Sequence, residues 1–279
     1  MTALDPIRAF ARRVRSGATR HTAVTAATAV TAVPEPPPDF STFAARLSPF
    51  KEILYADFTE FEQAVYRAIH CFLIGSPEGA LSLMHSVEHV VRHDIPGSFV
   101  ECGVYMGANI EIMIRMLMQL GFNNRDIYLY DTFAGMPRPT AWDDEQLVGR
   151  DWSANYDQKK GDGGSNWMCA DIDFVRQRLE PLGYPPDRLH FVKGMVEDTI
   201  PAVAPPDIAI LRLDTDFYTS TKHELVHLYP RLTPGGILII DDYGAFPGCK
   251  RAVDEYQEEK QTRLFLNRVD KNVRLAIKA

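Results

Sequence analysis

From residue 97 to the end of the chain, short apolar runs alternate with segments of helical periodicity, and this alternation constrains the fold most strongly. Short strands separated by helices predict a parallel sheet with right-handed crossovers. The runs are apolar almost throughout, as expected for strands that are covered on both faces. The predicted strands are SFVECGV, IYLYDTF, LHFVKG, DIAILRLD and GGILIIDDY, and helices are expected over 108–120, 171–182, 220–229 and 249–260.

The last two apolar runs, RLFLNRV and VRLAIKA, are separated only by Asp270–Asn272. A parallel crossover needs a dozen or more residues, so these two strands are predicted to form an antiparallel hairpin. The sequence therefore predicts an α/β fold, with a doubly wound, mostly parallel seven-stranded sheet that is closed by a C-terminal antiparallel hairpin.

Two N-terminal segments precede this alternating region. Residues 1–40 combine an Arg-rich start with a Thr/Ala/Val run and PEPPP, which predicts a flexible leader and leaves an organellar targeting peptide as the alternative. The sheet domain is then expected over residues 96–279. Residues 41–95 are predicted to form an N-terminal helical cap, because apolar side chains recur there at helical spacing: Phe58, Phe61, Val65, Ile69 and Phe72.

Composition argues against several classes of function. The net charge of −7 argues against a nucleic-acid partner, which requires clustered Lys and Arg. No apolar stretch reaches the ~18–20 residues that a membrane span needs. The four cysteines form no CxxC pair, and the chain is longer than the small secreted domains that disulfides stabilise. They are therefore predicted to be reduced thiols in a cytoplasmic protein.

Ligands of such sheets bind at the carboxyl ends of the strands. The first end, ECGVYMG, lacks the strict GxGxxG spacing of dinucleotide sites, and Gly103 and Gly107 allow a close approach of backbone to ligand. Its ExGxxxG form is similar to the nucleoside-binding loop of S-adenosylmethionine enzymes, with a plain glycine turn as the alternative.

Asp131, at the second end, is placed to accept hydrogen bonds from ribose hydroxyls, or else it caps a helix. The third end, Lys193–Asp198, either lines an adenine or is an ordinary loop.

Two further strand ends carry paired acids. Asp214 and Asp216 leave one strand, and Asp241 and Asp242 leave the next. Four carboxylates that converge at neighbouring strand ends would repel one another unless a cation compensates them. Oxygen ligands without Cys or His favour Mg²⁺, and a solvated acidic rim is the alternative.

Two histidine patterns could instead indicate zinc sites. HELVH at residues 223–227 satisfies the zinc-protease pattern HExxH, but it lies in a crossover helix, ends at Tyr229-Pro230, and has no third ligand at the required spacing. His85, His89 and His93 share one face of a predicted helix, where a satisfied or solvated surface is favoured over a zinc site.

Four segments together resemble the macrocin O-methyltransferase (TylF-type) family over residues 70–278: FVECGVYMGAN, LYDTFAGMP, LRLDTDFYTSTKHELVHLYPRLTPGG and ILIIDDYGAFPGCKRAVDEY. The resemblance implies a Rossmann-like class I methyltransferase that uses S-adenosyl-L-methionine and Mg²⁺ to methylate a sugar hydroxyl of a small molecule or glycan. It implies that Asp214, Asp241 and Asp242 bind the metal and that Asp216 is the general base. It leaves a homo-oligomer open, with contacts through the N-terminal helices.

The same resemblance implies the residues that surround the cofactor. They come from the first three strand ends, from Asp214, and by a looser correspondence from the cap: Leu73, Glu101, Cys102, Gly103, Val104, Tyr105, Gly107, Asp131, Thr132, Phe133, Gly135, Met195, Val196 and Asp214.

Residues 137–170 are interpreted as a lid over the acceptor. They contain all three tryptophans of the chain, Trp142, Trp152 and Trp167, together with Tyr156, and aromatic faces of this kind suit a carbohydrate; an ordinary surface loop is the alternative. Three other functions stay open at this point. They are a Mg²⁺-dependent O-methyltransferase of a phenol or catechol, a non-catalytic nucleoside-binding protein, and a nicotinamide dehydrogenase.

Overall fold

The computed structural model describes residues 56–144, 151–161 and 164–279. The predicted leader, residues 1–40, and the first part of the predicted cap, residues 41–55, lie outside the described residues. The strands are β1 Ser98–Cys102, β2 Ile127–Asp131, β3 Lys160–Gly161, β4 Gly164–Ser165, β5 Leu189–Lys193, β6 Ile208–Leu213, β7 Leu232–Ile240, β8 Asn267–Arg268 and β9 Arg274–Ile277.

Helices connect the strands and cover the sheet. They are α1 Glu60–Ile69, α2 Pro77–Arg92, α3 Ala108–Gln119, α4 Trp152–Lys159, α5 Ile172–Leu179, α6 Val196–Thr199, α7 Tyr218–His227 and α8 Pro247–Glu259, with short 3₁₀ turns at Glu180–Leu182, Pro186–Arg188 and Tyr229–Arg231.

Seven strands form one sheet in the order β5-β2-β1-β6-β7-β9-β8, and β3 and β4 form a separate two-stranded ribbon. The pairs from β5 to β7 are parallel. Strand β9 pairs antiparallel with both β7 and β8. The predicted mostly parallel seven-stranded sheet with a C-terminal antiparallel hairpin is therefore confirmed.

The described part of the N-terminal cap consists of α1 and α2, and both helices begin at a side-chain cap. Thr59 and Glu62 form a capping box at α1, and Ser76 accepts a hydrogen bond from the Gly79 amide at α2, where Pro77 takes the first helical position. These caps satisfy backbone amides that have no partner within the helix. Helix α2 then packs on α3 and on the sheet.

Two apolar cores fill the space on the two faces of the sheet. One contains the cap, α3 and the sheet face with Phe99, Leu129 and Ile239, and the other contains α7, α8 and the opposite face with Val100, Leu211 and Leu238. Strand β6 is buried at all six positions, as the continuous apolar pattern predicts. No helix in the described part of the chain combines the length and the apolar character that a bilayer crossing requires.

Candidate active site

A cavity of about 570 Å³ lies at the carboxyl edge of the parallel strands. Its walls come from the strand ends, from the cap residues 72–76, from the turn at 270–273 and from aromatic residues of the 137–170 segment. Most of the residues predicted from the sequence to form the site line this one cavity: Leu73, Gly103, Val104, Tyr105, Asp131, Thr132, Gly135, Met195, Val196, Asp214, Asp216, Asp241 and Asp242.

Four of the residues predicted at the cofactor lie behind the cavity surface. Glu101 and Cys102 are fully buried in β1, and Gly107 is the N-cap residue of α3. Phe133 is buried in the core, with its ring centroid 6.2 Å from that of Phe191. A direct role at the cofactor is therefore best supported for the residues that line the cavity.

The loop after β1 is held in place by Asp131, at the end of β2. One carboxylate oxygen of Asp131 accepts hydrogen bonds from the amides of Val104 and Tyr105, both at 2.8 Å, and the other accepts from the Phe133 amide at 2.7 Å. Tyr105 and Phe133 both adopt left-handed backbone conformations, with φ of 48° and 49°. Asp131 thus stabilises two backbone conformations that non-glycine residues seldom adopt.

Gly103 is required where β1 meets β6. Its φ is 86°, and a Cβ at this position would overlap the carbonyl oxygen of Asp214. The glycine therefore allows the loop after β1 to contact the backbone of Asp214, the residue that follows β6.

Three carboxylates, from Asp214, Asp216 and Asp242, form the carboxylate cluster. One oxygen of each lies within 4.8 Å of the others, and one oxygen of Asp242 is buried without a hydrogen-bond partner among the described residues. Burial and the charge of Asp214 raise the pKa of Asp216 to about 8. Burial and the charges of Asp216 and Asp214 raise the pKa of Asp242 well above its usual value.

The fourth acid, Asp241, is engaged by a buried arginine. Arg212, in β6, is 4% exposed, and its guanidinium donates hydrogen bonds to Glu101 at 2.9 Å, to Asp214 and to one oxygen of Asp241. Burial alone would lower the pKa of Arg212, but the charges of Asp214, Asp241 and Glu101 raise it. Sequence reasoning missed Arg212, although a charged residue in an otherwise apolar strand, two positions before Asp214, was a visible signal.

The cluster suits a hard divalent cation. It offers only carboxylate oxygens, which Mg²⁺ prefers, and it has an unpartnered buried oxygen on Asp242. Arg212 supplies one positive charge on the side of Glu101 and Asp241, so the charge on Asp216 and Asp242 is poorly compensated. A cation bound there would relieve the repulsion that raises these two pKa values.

An aromatic wall stands beside the carboxylate cluster and consists of Trp152, Trp167, Phe217 and Phe246. Trp152 stacks on Trp167, with centroids 5.7 Å apart, and on Phe246, with centroids 4.5 Å apart. Trp152, Trp167 and Phe246 line the cavity. The third predicted lid tryptophan, Trp142, is 44% exposed and lies outside the cavity, with the Arg251 guanidinium 3.7 Å from its ring centroid. Residues 145–150 and 162–163 of the predicted lid lie outside the described residues.

The histidine patterns serve other contacts. In HELVH, Glu224 is fully buried and accepts a hydrogen bond from Thr215 at 3.0 Å, while His223 bonds to the carbonyl of Ile200 at 2.8 Å. His85 pairs with Glu62 at 3.1 Å, and His89 bonds to the carbonyl of Gly235. Within the ranges that the structure describes, no histidine belongs to a group of three or more side chains placed to bind one metal ion.

Comparisons with known proteins agree with this geometry. The sequence profile of the macrocin-O-methyltransferase (TylF) family matches residues 74–275, which is more than half of the chain. A tetracenomycin-C rhamnosyl 4'-O-methyltransferase of Streptomyces olivaceus is 34% identical over 63% of this chain and 64% of its own length. The mycinamicin III 3''-O-methyltransferase of Micromonospora griseorubida is 32% identical over 63% of this chain and 66% of its own length. The chain thus spans just under two thirds of the length of these curated relatives.

Solved structures show the same fold. The O-methyltransferase NovP is 26% identical, with a TM-score of 0.65 over 73% of this chain and 81% of that chain. The calicheamicin methyltransferase CalS11 is 19% identical, with a TM-score of 0.58 over 92% of this chain and 99% of that chain, and this likeness concerns the fold alone. The predicted Rossmann-like class I methyltransferase fold is therefore confirmed.

Proposed function

Because the chain belongs to the macrocin O-methyltransferase (TylF) family, we propose that it is an S-adenosylmethionine-dependent O-methyltransferase that uses Mg²⁺ to methylate a sugar hydroxyl of a glycosylated small molecule or glycan. The observation that carries the proposal is the convergence of both acidic strand ends with the β1 and β2 loops in one cavity. The relatives named above act on a rhamnosylated tetracenomycin and on a mycinamicin, which supports a glycosylated acceptor.

The cofactor is assigned to the loops that follow β1, β2 and β5. Gly103, Val104 and Tyr105 line the cavity from the first strand end, and Met195 and Val196 line it from the third. One oxygen of Asp131 already accepts from two amides, whereas the other accepts from the Phe133 amide and, at 3.5 Å, from the Thr132 hydroxyl, so this second oxygen retains capacity for a ribose hydroxyl. S-Adenosylmethionine supplies the methyl group on a positively charged sulfur when it is bound.

The metal is assigned to Asp214, Asp241 and Asp242. Arg212 donates to one oxygen of Asp241, and Asp241 also lines the cavity, so its second oxygen is assigned to the metal. Arg212 orients this carboxylate and Asp214 at once. Mg²⁺ bound there would lower the pKa of an acceptor hydroxyl.

Asp216 is assigned as the general base that takes the proton from the acceptor hydroxyl. Its carboxylate lies within the cluster and lines the cavity. A cation bound beside it would offset the burial and the charge of Asp214 that raise its pKa, and would so keep it ionised and able to accept a proton. A positioned base of this kind contributes roughly 10²–10⁴-fold to the rate.

The aromatic wall is assigned to the acceptor. Trp152, Trp167 and Phe246 present apolar rings next to the carboxylates, an arrangement that suits the apolar face of a sugar and helps to exclude water from the transfer. We also propose a cytoplasmic location, since all four cysteines are free thiols, and homo-oligomerisation stays a prediction.

The test is transfer of a labelled methyl group, followed by mass spectrometry, to a panel of glycosides matched with phenols and catechols. The protein is stripped with EDTA and then supplied with Mg²⁺ or left without it. We expect transfer to glycosides only after Mg²⁺ is restored. Full activity in excess EDTA would refute the metal assignment, and transfer to phenols alone would replace the sugar acceptor by a phenolic one.

A further inference from the structure

A buried carboxylate outside the cluster links the aromatic wall to the acidic strand ends. Asp143 is 0% exposed and lies in the segment that carries the three tryptophans. One of its oxygens accepts hydrogen bonds from the amide and the hydroxyl of Thr140, at 2.8 and 2.7 Å. The other accepts from the amide of Tyr218 at 2.7 Å. This carboxylate thus joins its own turn to the first residue of α7.

Helix α7 has no cap of its own. Phe217, the N-cap residue, makes no side-chain capping bond, so Asp143 supplies the cap from a distant part of the chain. A carboxylate is favoured at a helix N-terminus, where backbone amides lack partners within the helix. The helix begins two residues after Asp216, whose φ of 65° is unusual for a non-glycine residue. The contact thus fixes the backbone immediately beyond the proposed base.

The same carboxylate also lies against the first turn of α8. A Cβ at Gly248 would overlap the Asp143 oxygen and lie 2.9 Å from the Tyr218 nitrogen. Because Gly248 has no side chain, the Asp143 carboxylate can occupy this space. Helices α7 and α8 follow β6 and β7, the two strands that end in the acidic pairs, so Asp143 lies between the two helices that continue from the site.

Its neighbours extend this connection to the wall. The Trp142 ring packs on Tyr218, with centroids 5.9 Å apart, under the Arg251 guanidinium. On the other side, Asp144 accepts a hydrogen bond from the Ser153 amide at 3.0 Å, in the first turn of α4, which carries Trp152. A short series of contacts thus runs from the backbone next to Asp216 to the aromatic wall.

We propose that Asp143 is a positioning residue that holds the aromatic wall and the carboxylate cluster in one fixed relation, so that a bound acceptor presents its hydroxyl to Asp216. This inference rests on the proposed function, and it assigns the Asp143–Gly248 contact a role in acceptor orientation. Asp143 itself does not line the cavity and touches none of the reacting groups.

The test compares Asp143→Ala and Gly248→Ala, which disturb the same contact from opposite sides, with the near-isosteric Asp143→Asn. Asp187→Asn, at an exposed position away from the cavity, is the matched control. We expect kcat/KM for the acceptor to fall about 10²-fold in the two alanine variants, since an error of about 1 Å in placement can cost that much. Asp143→Asn, which retains an oxygen for the Tyr218 amide, should lose less. Affinity for S-adenosylhomocysteine should stay within twofold of wild type.

Tryptophan emission provides a readout that does not depend on activity. All three tryptophans lie at positions 142, 152 and 167, so their fluorescence reports on this segment alone. In the alanine variants we expect red-shifted emission and stronger acrylamide quenching at a temperature well below Tm. A lower Tm with wild-type emission and wild-type kcat/KM in the folded variants would overturn the proposal. If the wild-type protein transfers no methyl group to any acceptor, the proposed function is wrong. The positioning role is then still tested by fluorescence, because unchanged emission in both alanine variants would overturn it.

Discussion

The carboxylate cluster and the aromatic wall both contribute to the lining of one cavity, but they are built in different ways. The acids follow β6 and β7, where Leu213 pairs with Ile240, so the sheet register alone brings Asp214 next to Asp241. The wall collects rings from α4, from the loop at Trp167 and from the residues before α7 and α8. Regular strands therefore fix the reactive groups, while tertiary packing between distant segments fixes the surface assigned to the acceptor.

The two regions also differ in their effect on stability. Burial and like charges raise the pKa values of Asp216, Asp241 and Asp242, so these carboxylates oppose folding when they are ionised and no cation is bound. The wall buries Trp152 and Trp167 at 8% and 5% exposure and gains from stacking. The reactive region is thus held in place by its surroundings, a common property of functional sites.

The largest expected effect comes from Asp216→Asn, which tests whether the cluster divides into ligands and a base. If Asp216 is the base, kcat should fall by about 10²–10⁴-fold, because the variant cannot accept the proton. Mg²⁺ affinity, measured by calorimetry, should stay close to wild type. Asp241→Asn should instead weaken Mg²⁺ binding.

Asp187→Asn serves again as the matched control for the loss of one carboxylate. The opposite pattern, in which Asp216→Asn abolishes Mg²⁺ binding and Asp241→Asn preserves it, would make Asp216 a ligand. The metal ligands would then be the three carboxylates of the cluster, Asp214, Asp216 and Asp242. Asp241 would not be one of them.

A smaller effect is expected from Trp152→Leu in the wall. The substitution keeps apolar bulk but removes the indole that stacks on Trp167 and Phe246. Trp152 lines the cavity, so loss of its ring face should raise the acceptor KM by up to about tenfold, which corresponds to about 1.4 kcal/mol of binding free energy. Affinity for S-adenosylhomocysteine should not change.

Phe265→Leu is the matched control for the wall, because Phe265 is 86% exposed and does not line the cavity. The assignment of separate roles to the wall and the cluster would be contradicted if Trp152→Leu lowered kcat as strongly as Asp216→Asn and left the acceptor KM unchanged. That outcome would place Trp152 in the chemical step.

The same contrast explains what the sequence could predict. The order of strands and helices, the hairpin and the convergence of two acidic strand ends follow from local periodicity and from polar residues at the ends of apolar runs, and the fold was confirmed. The aromatic partners Phe217 and Phe246, and the Asp143 contact with Tyr218, join residues far apart in sequence, so no local pattern reveals them. Arg212 was missed for another reason, since its strand reads as apolar and its three carboxylate partners emerge only from the sheet register.

The smallest expected effect concerns pH and Glu101, the fully buried carboxylate of β1 that accepts a hydrogen bond from Arg212. Burial, partly opposed by the charge of Arg212, raises the pKa of Glu101 from 4.5 to about 8. Between these values the folded protein retains a proton that the unfolded chain has lost. The stability from this group is therefore fully present below pH 4.5 and is lost as the pH rises through about 8. The metal-free protein should become less stable across this window.

Glu101→Gln isolates this contribution, because glutamine has almost the same shape, can still accept a hydrogen bond from Arg212 and does not titrate. In EDTA, the fall in Tm between pH 6 and pH 9 should be smaller in the variant than in wild type by a few degrees, on a scale of about 2–4 °C per kcal/mol. Differential scanning calorimetry measures the difference directly. Trp152→Leu, which carries no titratable change, should shift Tm equally at both pH values. Parallel pH profiles for wild type and Glu101→Gln would mean that Arg212 keeps Glu101 ionised. The pH dependence of stability would then be attributed to Asp216 and Asp242, whose pKa values are also raised.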